Sequence, residues 1–461
     1  MTASATPSTA ASQATRNGRE ELGQVARLAA PIVLVQVGML LMGTVDAMML
    51  GRLDALALAA GALGNTVSFG MLVPAMGILF ALDPLISQAF GAGDRAAVER
   101  HFQRGLVLAA LLSVPLAAIM LHTAPLLRLL GQSEEVVQPA ADYIRGLVPG
   151  NIAFLIFVAL RQTLTAMGRV RQALWAILAA NLVNAFFNWV LIFGHLGAPK
   201  LGVIGSAYAT SLSRWVMIAI LFGVSAKILQ PYLGRLGQEL WEISAYLGML
   251  RIGIHIAVLL AVEMWFFSTV ALLIGHLGPV GLAAHQIALN LAALSFQVPV
   301  GVAAAAASRV GNAIGRRDQE GARRSARVCL LLGAGVMTVS ATAFAFLPGL
   351  LARLYTPDPA VVALAAVLIP VAALFQIFDG LQVVGSGVLR GAADTRVPAL
   401  LGLFGYWGIG LPLGWYFAFS GGRGPQGLWW GLTIGLATVA LLLLARIRFR
   451  FAGEIARVEV S

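Results

Sequence analysis

Three carboxylic acids stand inside long apolar runs, where an ionised group costs roughly 2.5–3.5 kcal/mol on insertion scales. Asp46 sits in "GTVDAMMLG" (43–51), Glu263 in "VEMWFFSTVALLIGHLG" (262–278) and Asp379 in "FQIFDGLQVVGSGVLRGAADT" (375–395). An acid held there can take up a proton, coordinate a hard cation such as Na⁺, or attract an organic cation. A functional role is the expectation for each. A fourth acid, Asp83, lies close to the end of its run. It is expected to be structural, reaching interfacial water or a loop arginine.

Helical spacing gathers polar and soft side chains around these acids. Met39, Met42, Asp46 and Met49 are spaced 3, 4 and 3 and share one helix face. Such a stripe fills a core or, being flexible and polarizable, lines an adaptable binding surface. In "NLVNAFFNWVLIFG" (181–194), Asn184 and Asn188 are four apart. Their amides can donate to a carboxylate or offer carbonyl oxygen to a cation; bonding between helices would also justify them. Gln376, Asp379 and Gln382 form a polar strip at intervals of three. "AAHQIALN" (283–290) supplies His285, Gln286 and Asn290, and the histidine reads equally as a proton relay or a packing residue. Arg214 is a cation at depth, expected in a salt bridge or snorkelling to the interface.

The elements that carry these residues are membrane helices. Only 11% of the 461 residues are charged and 59% are hydrophobic, whereas soluble chains carry about 25% charge. Twelve runs are long enough to cross a bilayer: 28–51, 57–82, 105–123, 141–160, 172–194, 203–228, 248–274, 280–306, 327–348, 360–386, 397–420 and 427–446. They are too long for barrel strands and do not alternate with period two. The net charge of +11 comes from short connections rather than from a nucleic-acid surface. Connections after even-numbered spans are arginine-rich, as with Arg95, Arg100, Arg169, Arg171, Arg316 and Arg317; those after odd-numbered spans are not. The positive-inside rule then puts both termini and the even connections in the cytoplasm, across a plasma (inner) membrane. Cys329 is the only cysteine, so neither an intramolecular disulfide nor a cysteine metal cluster is available. The polar start of the chain reads as a disordered tail (1–24), not a signal peptide.

The two halves repeat at an offset of 224 residues. Arg27 aligns with Arg251, Gly51 with Gly275, "LAA" at 58–60 with "LAA" at 282–284, and Gly91 and Asp94 with Gly315 and Asp318. Six spans per half give an all-α polytopic membrane protein of two six-helix lobes (25–230 and 248–451). A linker (231–247) joins them, a tail (452–461) follows, and the pseudo-twofold axis lies along the membrane normal. Repeats of this kind place substrate between the halves. The acids break the repeat: Val270 stands opposite Asp46, and Met39 opposite Glu263. No Walker loop is present, and "GNAIG" (311–315) reads as a turn, so neither ATP nor enzymatic chemistry is expected.

The quoted stretches, with "VPVGVAAAAASRVGNAIG" (298–315), resemble the multidrug and toxic compound extrusion (MATE) family, particularly its NorM-like branch, from about Val25 to Phe451. The resemblance implies a V-shaped transporter that exports organic cations against a Na⁺ or H⁺ gradient, with no other cofactor. It assigns cation coupling to Asp46, Asn184, Asn188, Glu263 and Asp379, with Asp46, Glu263 and Asp379 as the acids for sodium. Other branches carry an acid where this chain has Asn188, and lack the Glu263–Asp379 pair. The substrate-lining candidates are Met39, Met42, Asp46, Glu263, Gln286, Gln376 and Asp379. The expected partners are small organic cations and the bilayer, with the protein a monomer. Two alternatives stay open: a lipid-linked precursor flippase, which should need a cleft rich in Arg and Lys, and a non-transporting membrane scaffold.

Overall fold

The computed structural model describes residues 7–234 and 237–458, with side chains from residue 18 onward, Gln238 excepted. The outer ends of both expected tails, and Arg235 of the linker, lie outside these residues. The described residues contain no strand. Twelve helices are long and apolar enough to cross a membrane. They are α1 (Gly18–Gly51), α2 (Ala55–Gly91), α3 (Arg95–Leu121), α4 (Glu134–Ala166), α5 (Arg171–Phe193), α6 (Val203–Tyr232), α7 (Ile243–Gly275), α8 (Pro279–Gly315), α9 (Gln319–Phe346), α10 (Pro359–Gly391), α11 (Arg396–Ser420) and α12 (Gly424–Arg450). Each expected span falls on one of them.

Several helices outrun the apolar spans, because a helix continues wherever its backbone bonds are satisfied, in hydrocarbon or in water. "GNAIG" is thus the last turn of α8 rather than a loop. The helix containing α1 begins at Pro7, and Glu21 and Val25, near or within the expected tail, are buried. The repeat is visible in the capping. Asp94 accepts from the Ala97 amide (3.0 Å) at the start of α3, and Asp318 from the Gly321 amide (2.8 Å) at the start of α9. A side-chain acceptor there satisfies one of the helix's unbonded N–H groups, which is why an aspartate recurs at this offset. The residue before each cap is left-handed: Gly93 at φ 72° and Arg317 at φ 58°.

The described residues divide into two compact units, 34–257 and 7–33 with 258–458. Val33 and Ala257, where α1 and α7 pass from one unit to the other, are equivalent under the 224-residue repeat. In the 34–257 unit α4 is central and packs on α2, α3 and α6, with α5 on α6. In the other unit α10 is central and packs on α8, α9 and α12. Lipid tails are as apolar as leucine, so close backbone approach supplies much of the packing. A Cβ on Gly150 would meet Ser211 of α6, and one on Gly387 would meet the backbone of Ala303 in α8.

Each unit fastens its transferred helix start with ions. Arg309 of α8 grips Glu21 through two hydrogen bonds (2.9 and 2.5 Å), and Ser325 of α9 donates to the same carboxylate (2.6 Å). In the other unit Arg104 of α3 reaches Glu242 (2.8 Å) and the Glu239 carbonyl (2.6 Å), just before α7. Two-pronged guanidinium–carboxylate contacts are among the strongest of polar interactions.

Candidate functional site

In the 34–257 unit, α1 and α5 bring Asp46 against the two asparagines. Asn188 Nδ2 donates to Asp46 Oδ1 (2.5 Å) and to Asn184 Oδ1 (3.1 Å). Thr210 Oγ1, from α6, donates to Asp46 Oδ2 (2.8 Å) and accepts from Asn184 Nδ2 (3.1 Å). Asp46 is 5% exposed, and both asparagines are fully buried. The four-residue spacing puts both amides on one face of α5, one turn apart, so one asparagine holds the acid while the other braces the threonine. Asn188 Oδ1 is buried and has no hydrogen-bond partner. It is therefore a lone carbonyl oxygen beside a carboxylate.

No cation pairs directly with Asp46 among the described residues. Arg214, one turn along α6 from Thr210, is near enough to Asp46 and Tyr143 to interact electrostatically. Its Nη1, however, donates to Asn151 of α4 (2.6 Å), and its guanidinium lies 4.9 Å from the Phe154 ring centre. The expected salt bridge at depth is replaced by an amide and an aromatic face, which together hold a partly buried guanidinium without neutralising its charge. Of the methionine stripe, Met42 is buried while Met39 and Met49 are partly exposed. Asp83 is buried at 3% exposure and accepts from Gln162 Nε2 (2.7 Å).

The second cluster lies in the 258–458 unit. Glu263 of α7 accepts from Gln382 Nε2 of α10 (3.4 Å) and is close enough to Asp379 to act on it electrostatically. Both acids also act on Tyr406, whose buried hydroxyl has no partner. Tyr406 stands in a π-helical stretch of α11, Phe404–Gly410. The added residue per turn re-aims side chains, a feature common at functional sites. Around it, Phe266 stacks on Tyr406 (5.2 Å), Phe375 meets Trp429 edge-on (5.8 Å), and His285 meets Trp429 (5.7 Å). Neither ring nitrogen of His285 has a partner, so it is not a satisfied packing histidine.

Sequence spacing is only partly reproduced in the polar strip. Gln382 joins Glu263, but Gln376 donates to Ser295 (2.6 Å) and Ser340 (3.2 Å). Gln286 is exposed, while its neighbour His285 is buried. Asp46 falls in one unit and Glu263 and Asp379 in the other. No group of three or more His, Cys, Asp or Glu residues among the described ones could hold a metal ion. Beside Asp46, the side chains of Asn184, Asn188 and Thr210 supply neutral oxygens of the kind that suits a hard cation. Sequence reading passed over Thr210, Tyr143 and Tyr406. The four-residue interval from Thr210 to Arg214 was a signal for the first; the π-helical register that presents Tyr406 had none.

The sequence profile of the family described as MatE matches residues 31–190 and again 255–416. The two matches begin 224 residues apart, the offset of the repeat. A "Probable multidrug resistance protein NorM" of Burkholderia pseudomallei is 39% identical over 93% of this chain and 92% of its own length. "Multidrug resistance protein PmpM" of Pseudomonas aeruginosa is 37% identical over 96% and 94%. Among solved structures, the eukaryotic MATE transporter AtDTX14 superposes with a TM-score of 0.85 at 24% identity, covering 94% of this chain and 96% of that one.

Proposed function

The chain belongs to the MatE family, and from that premise we propose a secondary active multidrug exporter that moves cationic amphipathic compounds outward in exchange for Na⁺ or H⁺. It is a multi-pass membrane protein; its relatives are named multidrug resistance proteins, and AtDTX14, whose fold it shares, is named a MATE transporter. One observation carries the coupling reading. Asp46 is buried among neutral donors, with no cation in ion-pair range among the described residues. A fixed ion pair would hold the acid charged in every state. This acid is left to be neutralised by something that comes and goes.

For sodium, Asp46 offers two oxygens, Thr210 Oγ1 a third and the unpartnered Asn188 Oδ1 a fourth. For a proton, Asp46 alone suffices. Discharging the acid removes its attraction for a cationic drug and changes the balance between conformations that bind it differently. Linkage then requires drug and ion to weaken each other's binding. In the other unit, Glu263 and Asp379 hold the coupling ion, the drug cation, or each in turn. Phe266, Phe375 and Trp429 stand in the same unit, where apolar rings can receive aromatic groups. Loop charge supports cytoplasmic termini and an inner-membrane location, with Asp46 about one turn from the outer end of α1. The protein is expected to work as a monomer.

Proteoliposomes test this directly, with a Na⁺ gradient and a pH gradient imposed separately on a fluorescent organic cation. One gradient should drive transport, and Asp46→Asn at matched incorporation should abolish it. Wild-type transport by the Asn protein, or no response to either gradient, would sink the proposal.

A further inference from the structure

A recess of about 640 Å³ opens between α9, α10 and α12, in the 258–458 unit and apart from both acid clusters. On α9 its wall runs Arg323, Arg327, Leu331 at intervals of four, so two arginines precede leucine along one face. On α12 the order is reversed, with Leu444 followed by Arg448. The start of α9 and the finish of α12 lie together: Arg323 donates to the carbonyls of Phe451 (2.7 Å) and Ala452 (3.2 Å). The three guanidinium groups therefore share one end of the recess, and leucines line the rest. Arg327 and Arg448 are exposed, and neither has a carboxylate partner among the described residues. Leu331 is 67% exposed.

We propose that this recess binds an anionic glycerophospholipid of the cytoplasmic leaflet, its phosphate on Arg327 and Arg448 and an acyl chain along Leu331, Leu444 and Leu381. Charge complementarity selects the occupant. A basic mouth between membrane helices on the positive side suits an acidic headgroup, and it repels the organic cations that the acid clusters attract. The apolar walls would be idle around a free phosphate. Arg323 is committed to the two carbonyls just after α12 and fixes the mouth, leaving the other two arginines for the ligand.

Native mass spectrometry of the purified full-length protein tests this, after exchange into micelles containing phosphatidylglycerol or phosphatidylcholine with identical acyl chains. Phosphatidylglycerol should be retained preferentially. Arg327→Gln with Arg448→Gln should lower its retention by about 25-fold, roughly fivefold for each arginine facing an anionic headgroup. Arg353→Gln, an exposed arginine in the short helix that follows the other end of α9, should change nothing. Millimolar glycerol 3-phosphate should fail to displace the lipid. Should the double variant aggregate, Ala334→Trp fills the recess while keeping all three arginines, and it should also release the lipid. Equal retention of the two lipids, retention unaffected by both the arginine and tryptophan variants, an equal loss in Arg353→Gln, or displacement by glycerol 3-phosphate would each overturn the assignment.

Discussion

Asp46 keeps its place because every neighbour that touches it is a neutral donor, and such donors stabilise a carboxylate without cancelling its charge. Thr210 tells the two proposed coupling ions apart. Thr210→Val removes one oxygen from a sodium site and should weaken Na⁺ binding about tenfold, the scale of a hydrogen bond to a charged group. For a proton the sign reverses: a carboxylate that has lost a donor holds its proton more tightly. Thr210→Ser should behave as wild type in either case. The ion dependence of drug binding to purified protein reads this out, and an unchanged Val variant would remove Thr210 from the site. Glu263 and Asp379 form the second test. Two acids in electrostatic reach should not respond independently. A double-mutant cycle on drug affinity should depart from additivity by more than about 0.5 kcal/mol, and strict additivity would separate them.

Among the helices, the turns between α2 and α3 and between α8 and α9 solve one problem with different residues. Both need a left-handed residue before the capping aspartate, supplied by Gly93 in one and Arg317 in the other. A side chain in that conformation costs about 1–2 kcal/mol, which the flexibility of glycine partly offsets. Arg317→Gly should therefore raise stability by about 0.5–1 kcal/mol. Thermal unfolding in detergent measures it, and a lower melting temperature would show that the arginine side chain contributes more than its backbone strain costs. Helix ends show why span boundaries were only partly legible. Hydropathy marks where the apolar stretch stops, as at residue 306 of the eighth span, whereas α8 continues to Gly315 through residues chosen for packing and capping.

For the whole molecule, the alternation of basic connections predicts an orientation that labelling can check. Cys329 is buried, so the native chain gives little background. Cysteine introduced at exposed Lys200, in the connection after α5, should react with a membrane-impermeant maleimide in intact cells. Cysteine at exposed Arg316, after α8, should react only once the membrane is opened. The opposite pattern would invert the orientation and put Asp46 near the cytoplasmic end of α1.

Twelve spans, their duplication and the family were carried by the sequence alone, because each rests on a one-dimensional quantity: apolar length, loop charge, or residue identity at a fixed offset. The asparagines beside Asp46 were legible too, since a four-residue interval on a long helix fixes a shared face before any partner is known. Tertiary packing decided the rest. Thr210 completes the first cluster only because α6 lies against α5 and α1. Tyr406, within electrostatic range of Glu263 and Asp379, stands in a π-helical register that no hydropathy pattern encodes. Gln376, one turn from Asp379, was drawn away by the hydroxyls of Ser295 and Ser340. The start of α1, up to residue 33, packs with the opposite half of the chain, where Arg309 and Ser325 offer the buried Glu21 its partners. Those partners are about 300 residues distant, and a hydrogen bond at that separation leaves no period in the sequence.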